Sequence, residues 1–217
     1  MKKKNLIIFI LLLALFVGFT LLIKNVDVKA VGPNGSEVGF ADVNTGFHDL
    51  TNNPLEYNKT IYKVTEIAGY VALLLVAFYG VIGLMQLIKR KSLAKVDRSL
   101  YVLLGLYVVM LAAYVLFDKV AVNYRPVLMD GKLEASFPSS HTLLAICVCV
   151  SAMIMNNRLF NNKNVKICNY LICALMCLII LGRLISGVHW LTDVVGGIIL
   201  SSALLYGFNS ILNYKKR

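Results

Sequence analysis

The chain has 217 residues, of which 59% are hydrophobic and only 15% are charged, and its mean hydropathy is +0.74. These values exclude an ordinary soluble domain and indicate an integral membrane protein. The net charge is +11, but the basic residues are spread over the segments between apolar runs, so we predict a bilayer and no nucleic acid as partner.

Six apolar runs, almost free of charged residues, follow one another along the chain. Most of them reach the ~20 residues that a helix needs to cross the hydrocarbon core. They are continuous rather than alternating, which excludes a transmembrane barrel. The predicted fold class is therefore all-α, a polytopic membrane helix bundle with six transmembrane helices. The runs cover about residues 5–23, 67–88, 99–117, 142–157, 167–182 and 190–214.

The charges between these runs predict the orientation of the chain. If the N-terminus is cytoplasmic, 14 of the 22 basic residues but only Asp97 among the 11 acidic residues lie on the cytoplasmic side. This asymmetry is typical of the positive-inside rule. We therefore expect a multi-pass protein of the cell membrane with both termini in the cytoplasm. The basic residues on that side are Lys2, Lys3, Lys4, Lys89, Arg90, Lys91, Lys95, Arg98, Arg158, Lys163, Lys166, Lys215, Lys216 and Arg217.

The organisation predicted from these runs has three parts. Residues 1–23 form a first transmembrane helix or signal anchor, residues 24–66 an extracytoplasmic loop, and residues 67–217 a core of five helices. Val28-Lys29-Ala30 resembles a signal cleavage site, but the apolar run before it is long, and we prefer an uncleaved helix. We expect the loop to be solvated; the alternative is that its His48 and neighbouring acids approach the functional site as a lid.

Cysteine usage predicts packing rather than a metal site. Cys173 and Cys177 lie one helical turn apart in an apolar run, with no histidine or carboxylate beside them. We therefore expect no metal site at these cysteines.

The stretch from Gly182 to Asp193 places Arg183, His189 and Asp193 at the end of an apolar region, where charged groups are costly and are usually functional. If a helix begins near His189, then Asp193 lies one turn further on the same face and can orient the imidazole. Gly187 allows a bend that brings the guanidinium of Arg183 back over the ring, where it suits a phosphate.

The loop of residues 118–141 faces the same side of the membrane. It contains Lys119, Arg125-Pro126 and Pro138-Ser139-Ser140-His141. The two serines lie at the predicted start of a helix, where hydroxyls cap free N–H groups and the helix dipole favours an anion. Together the two stretches predict a phosphate site, because phosphoryl transfer needs cations on the phosphate oxygens, a nucleophile and an acid for the leaving oxygen.

Each of these residues has a structural interpretation as well. Either arginine could extend to lipid headgroups, and His189 with Asp193 could be a structural polar pair. His141 could be an interfacial histidine, and the serines could be helix caps, a role that is compatible with contact to phosphate.

At these residues the sequence resembles the type 2 phosphatidic acid phosphatase family, whose site is shared with vanadium-dependent haloperoxidases. The third motif, Gly182-Arg183 through His189 to Asp193, has the family's spacing, with Gly182 where serine is usual. The second, Pro138-Ser139-Ser140-His141, has Ser140 where glycine is usual. In the first, five residues rather than six separate Lys119 from Arg125.

The resemblance spans roughly residues 65–213 and implies a metal-independent phosphatase that needs no cofactor. It implies that His189, oriented by Asp193, is the nucleophile that becomes a phosphohistidine and that His141 is the general acid and later base. The residues implied to hold the phosphate are Lys119, Arg125, Ser139, Ser140 and Arg183.

We therefore expect a membrane lipid-phosphate phosphatase that acts at the extracytoplasmic face on a lipid phosphomonoester or diphosphate. Candidate substrates are undecaprenyl diphosphate, phosphatidylglycerol phosphate and phosphatidic acid, with a preference for the first. Two alternatives stay open: a lipid phosphotransferase, and a noncatalytic anion-binding membrane scaffold.

Overall fold

A computed structural model of the protein describes residues 2–51, 57–160 and 162–214. Residues 215–217, which were predicted to lie on the cytoplasmic side, are outside the described part. The described helices are α1 (Lys3–Asn25), α2 (Ala41–Thr51), α3 (Lys59–Arg90), α4 (Arg98–Lys119), α5 (Ser140–Leu159), α6 (Val165–Ile185) and α7 (Leu191–Leu212), with short 3-10 turns at Pro33–Gly35 and Leu93–Lys95. All of them except α2 are long and apolar enough to cross a membrane. The predicted all-α bundle with six membrane spans is confirmed.

Helix α3 extends beyond the predicted start of its apolar run. Helix α3 begins at Lys59, eight residues before the predicted start at residue 67, because the side chain of Asn58 accepts a hydrogen bond from Ile61 N at 3.0 Å and caps the helix. Its first two turns carry Lys63 and Glu66 and therefore extend beyond the apolar run. The remaining outer segment also contains α2, so it is not a simple solvated loop.

Helices α5 and α7 form the centre of the bundle. Helix α5 packs against α3, α4, α6 and α7, and α7 packs in turn against α1, α4 and α5. A side chain at Gly196 would collide with the Phe137 ring, and one at Gly197 would touch Thr142 and the Ser139 carbonyl. The glycine pair therefore lets α7 approach the start of α5 closely.

Helix α1 is a packed member of this bundle. It lies along α7, and its Phe16 ring stacks on Phe137 at 5.9 Å and meets Phe117 edge-on at 5.5 Å. Ile23 is buried as well. Helix α1 therefore contributes side chains to the core of the bundle.

Three connecting segments meet at one end of the bundle. Gly39 N donates to the side chain of Asn123 at 3.1 Å, and Asn58 N donates to Ser186 O at 2.9 Å. The segments 26–58, 120–139 and 186–190 are therefore joined to one another. All the predicted site residues lie in these segments or in the helix ends beside them.

Candidate active site

The start of α5 contributes three consecutive polar residues. Ser139 is the N-cap: its hydroxyl accepts from Thr142 N at 3.4 Å and from the Thr142 hydroxyl at 3.1 Å. The Ser139 N–H donates to the backbone carbonyl of Asp193 at 3.0 Å, which ties the start of α5 to α7. Ser140 and His141 then occupy the first turn and are only partly buried. Ser139 thus acts as a cap, while Ser140 lies at the dipole end of the helix and is open to a ligand.

The second contribution comes from the turn between α6 and α7. Helix α6 ends just after Arg183, Gly187 reverses the chain with a φ of +78°, and α7 begins at Leu191, two residues after His189. The helix that was predicted to begin near His189 therefore begins two residues after it, and His189 lies in the preceding turn. Asp193 nevertheless faces it, with Asp193 Oδ2 3.5 Å from His189 Nδ1 and accepting from Trp190 N at 2.9 Å. The backbone bond fixes the carboxylate beside the imidazole, although His189 Nδ1 makes no hydrogen bond to the described residues.

His189 is the group on which the other side chains converge. It is 2% exposed, and its Nε2 lies 3.5 Å from Arg125 Nη1. Burial lowers the pKa of His189 well below its ordinary value, and the neighbouring Arg125, His141 and Arg183 lower it further. The ring is therefore neutral, with Nδ1 turned to Asp193 and Nε2 turned to the arginine. A neutral imidazole with its Nε2 lone pair in this direction can act as a nucleophile.

The guanidinium of Arg125 contacts a backbone carbonyl, an imidazole and a carboxylate. Its Nη1 lies 3.3 Å from Val188 O as well as beside His189, and its Nε lies 3.1 Å from Glu134 Oε2. Arg125 is buried, whereas the side chain of Glu134 is about half exposed. The carboxylate thus neutralises a buried cation next to the imidazole.

Arg183 is fully buried, with 0% exposure, and its guanidinium has no hydrogen-bond acceptor among the described residues. The ring of Tyr62 on α3 lies against it, with its centroid 4.4 Å from the guanidinium carbon. Burying an ionised group without acceptors is costly, so a guanidinium in this state is suited to an anionic ligand.

His141 projects from α5 toward α3. Its ring lies against Gly69, where an added Cβ would sit 3.6 Å from Cδ2 and 3.9 Å from Nε2. Its Nδ1 is buried without a partner among the described residues. The ring of His141 therefore packs against the backbone of α3 at Gly69.

Two cavities meet beside Ser140; His141 borders only the second of them, and Arg183 borders neither. The first has a volume of about 370 Å³ and is bordered by Arg125, Ser140 and His189 together with the acidic Asp118 and Glu134. The second, of about 270 Å³, lies between α4 and α5 and is lined by Met110, Leu111, Tyr114, Ser140, His141, Leu143 and Leu144. Both share Tyr114, Ser140 and Leu143. A polar chamber therefore adjoins an apolar groove.

The structure does not bring Lys119 to this chamber. Lys119 is the last residue of α4, its side chain is exposed, and it does not border the first cavity, to which its neighbour Asp118 contributes instead. The shortened spacing to Arg125 leaves the lysine outside the cluster. Its predicted role in binding phosphate stays a prediction.

Sequence reasoning missed the partners of both arginines. Tyr62 lies in a stretch predicted as loop, and only an earlier start of α3 would have placed it beside the end of α6. Glu134 is one acid in an irregular loop, and no periodicity indicates which basic residue it faces. Within residues 2–51, 57–160 and 162–214, no cluster of three or more His, Cys, Asp or Glu side chains could hold a metal ion.

Residues 122–217 match the family model of the PAP2 superfamily. This segment includes Arg125, His141 and His189. The fold is similar to a solved structure described as the first transmembrane PAP2 type phosphatidylglycerolphosphate phosphatase from Bacillus subtilis. The TM-score is 0.65 and the sequence identity 20%, with 96% of this chain and 98% of that chain covered. No curated protein sequence matches the chain at a significant level. The resemblance to the type 2 phosphatidic acid phosphatase family is therefore confirmed over residues 122–217, and the solved structure shows that the fold is similar.

Proposed function

We propose that this chain, with its match to the PAP2 superfamily over residues 122–217, is a membrane lipid-phosphate phosphatase. The observation that carries the proposal is the environment of His189. The ring lies between the carboxylate of Asp193 and the guanidinium of Arg125, in a cavity large enough for a phosphoryl group. Arg183, buried without an acceptor among the described residues, supplies a second cation suited to phosphate oxygens.

In the proposed first step, His189 Nε2 attacks phosphorus in line with the leaving oxygen. The N–P bond forms while the bond from phosphorus to the leaving oxygen breaks, and His141 donates a proton to that oxygen, which is the ester oxygen of a lipid phosphomonoester or the bridging oxygen of a lipid diphosphate. The ring gains positive charge as it is phosphorylated, and the Asp193 carboxylate stabilises that charge at Nδ1. Arg125, Arg183 and the N-terminus of α5 at Ser140 neutralise the phosphoryl oxygens.

In the proposed second step, water replaces the lipid. His141, now neutral, takes a proton from the water as its oxygen bonds to phosphorus, and the N–P bond breaks to give inorganic phosphate and free His189. A lipid phosphotransferase would use the same first step and an acceptor hydroxyl in the second. Analysis of the products distinguishes the two reactions.

The apolar groove beside the chamber suits the tail of the substrate. Its walls are Met110, Leu111, Leu143 and Leu144, and it reaches Ser140 and His141 at its inner end. A phosphate in the chamber can therefore be attached to an acyl or isoprenyl chain that lies between α4 and α5.

We propose that the chamber faces the extracytoplasmic side. The connecting segments at the site carry most of the acidic residues, whereas the basic turn of residues 89–98 and the start of the chain lie at the other end of the bundle. Among the candidate substrates we favour undecaprenyl diphosphate, because that carrier is dephosphorylated on this side. The Bacillus subtilis protein of similar fold is described as acting on phosphatidylglycerolphosphate, which keeps that lipid in the panel.

The test is phosphate release from undecaprenyl diphosphate, phosphatidylglycerol phosphate and phosphatidic acid, by protein in detergent with a chelator present. We expect the wild type to release phosphate and the His189→Ala variant to lose this activity. Ser202→Ala is the matched control, because that exposed hydroxyl bonds only within α7, to Ile198 O. A strict requirement for a divalent metal, or full activity of His189→Ala, would refute the proposed mechanism.

Orientation is tested separately, in vesicles that contain protein inserted in one known direction. Substrate added to the leaflet on the side of the 26–58 segment should be hydrolysed first. Hydrolysis that starts with substrate on the side of residues 91–97 would contradict the proposed face. An inactive wild type that binds phosphate would favour the scaffold alternative.

A further inference from the structure

Helix α2 lies outside the segment that matches the superfamily, yet it contacts the third motif on both sides of His189. Its residues reach Gly187 and Trp190, which flank the histidine, and also Thr192. These contacts join an element near the N-terminus to a turn almost 150 positions later in the chain. The turn itself has no helical hydrogen bonds at His189, so its position depends on such neighbours.

Asn44 makes the most specific of these contacts. It is fully buried at 0% exposure, and both its amide nitrogen and its amide oxygen make hydrogen bonds. The Oδ1 atom accepts from Thr192 N at 3.2 Å, and Nδ2 donates to the Thr192 hydroxyl at 2.9 Å and to Gly39 O at 2.8 Å. Thr192 N is one of the free N–H groups at the start of α7, so Asn44 caps that helix from a distant part of the chain.

His48 adds a second contact on the same face of α2. Its ring is buried and lies 5.5 Å from the ring of Trp190, at an angle of 55°. Its Nε2 is 3.4 Å from Gly187 O and donates to that carbonyl when it carries the ring proton. Gly187 has a positive φ, so this contact falls on the residue where the chain reverses before His189.

The other side of the same turn is held by the site itself. Trp190 Nε1 donates to Tyr124 O at 2.8 Å, and Val188 O accepts from Arg125 at 3.3 Å. The segment 187–192 is thus held between the 120–139 loop and α2. Because Asp193 and His189 are separated by the first residues of α7, a shift of the start of that helix changes their 3.5 Å separation.

We propose that Asn44, assisted by His48, is a positioning residue that fixes the start of α7 and thereby sets the alignment of His189 with the phosphoryl group. This inference rests on the proposed phosphatase function. It assigns α2 to the active-site scaffold, although α2 contributes no group to the reacting atoms. A displacement of about 1 Å of a reacting group can cost about 10²-fold in rate.

A positioning role and a general structural role predict different kinetics. The phosphate-binding groups Arg125, Arg183 and Ser140 come from other elements, so loss of the Asn44 amide should leave substrate binding unchanged. The nucleophile alone should be misaligned. The positioning role therefore predicts a lower kcat and slower phosphorylation of His189, with an unchanged KM.

The experiment compares Asn44→Ala and Asn44→Asp with the wild type in the full-length protein. The matched control is Thr45→Val, because among the described residues the Thr45 hydroxyl bonds within α2, to the carbonyls of Ala41 and Asp42. We expect kcat to fall by about 10²-fold in Asn44→Ala with KM unchanged. Asn44→Asp keeps an acceptor for Thr192 N but places an oxygen where Nδ2 donates to Gly39 O, so it should recover only part of the rate, and Thr45→Val should match the wild type.

Rates are expressed per folded molecule, from thermal unfolding of each preparation, and formation of phosphohistidine is followed in a single turnover. His48→Phe is a second variant, which retains ring packing on Trp190 and loses the bond to Gly187 O; it should slow phosphohistidine formation less than Asn44→Ala. A kcat of Asn44→Ala within about threefold of the wild type, or an equal loss in Thr45→Val, would overturn the inference. An inactive wild type would instead refute the proposed function.

Discussion

Replacement of Asp193 by asparagine tests the charge that the structure places behind His189. An asparagine oxygen can still accept from Trp190 N, so the change removes the negative charge with little change in shape. Asp193 is fully buried, and its Oδ2 lies 3.5 Å from His189 Nδ1. At that distance and an effective dielectric constant of about 20, the attraction between unit charges is about 5 kcal/mol.

This attraction is gained only when the imidazole becomes positive, which is during attack on phosphorus. Its loss should therefore lower kcat by about 10³-fold and leave KM nearly unchanged, since each 1.4 kcal/mol corresponds to about a factor of ten. Phosphate release at varied concentrations of the preferred lipid measures kcat and KM. Single-turnover labelling of His189 measures the rate of the phosphorylation step. Asp130→Asn, at an exposed loop position whose φ of +48° asparagine accepts, is the matched control. A loss below about tenfold in Asp193→Asn would refute the assigned role of this carboxylate.

Four further predictions follow from the same geometry. Arg183→Lys should lower kcat/KM by about tenfold or more, because an ammonium cannot reproduce the planar fork of donors. Glu134→Gln should lower the inhibition constant of vanadate, because Arg125 loses a competing carboxylate. Leu144→Trp should raise KM for long-chain lipid phosphates but not for a short-chain analogue, because it fills the groove. Burial lowers the pKa of His189 in the folded protein, so below pH ~6.5 the unfolded chain binds a proton at this imidazole that the folded chain does not bind. The melting temperature of the wild type should therefore fall as the pH is lowered below ~6.5, and it should fall less in His189→Asn.

Each of these results has a clear contrary outcome. Unchanged kcat/KM in Arg183→Lys would mean that this guanidinium does not contact the phosphate. Weaker vanadate inhibition in Glu134→Gln would mean that the carboxylate orients Arg125 rather than competing for it. Equal KM changes for long and short substrates in Leu144→Trp would place the tail elsewhere, and equal pH dependence of the two melting curves would remove His189 as the titrating group.

The spans could be predicted from the sequence because a bilayer leaves few choices. Every backbone polar group in the hydrocarbon core must be bonded within the protein, so long uncharged runs become helices. The proximity of His189 and Asp193 could also be predicted from the sequence, because it depends on a local separation of four residues. It survives even though α7 begins two residues later than predicted, since the Asp193 side chain turns back to the N-cap region to accept from Trp190 N.

Contacts between distant polar segments could not be predicted in the same way. The start of α3 is decided by the cap at Asn58, and the pairing of Tyr62 with Arg183 by the approach of α3 to the end of α6. Neither leaves a periodic signal in the sequence. The same holds for Lys119, where a motif spacing predicted a phosphate ligand and the structure places an exposed side chain at the end of α4.

The placement of His189 outside the helices explains why the outer segments matter to the site. A residue within α7 would be fixed by the helix itself, but His189 lies in a turn whose backbone is held by Arg125 on one side and by α2 on the other. The cations come from the matched segment, whereas the cap on Thr192 comes from Asn44, outside it. In the proposed mechanism the local motif therefore supplies the reacting groups, and we expect their alignment to depend on the contact of Asn44 with Thr192, which only the folded chain creates.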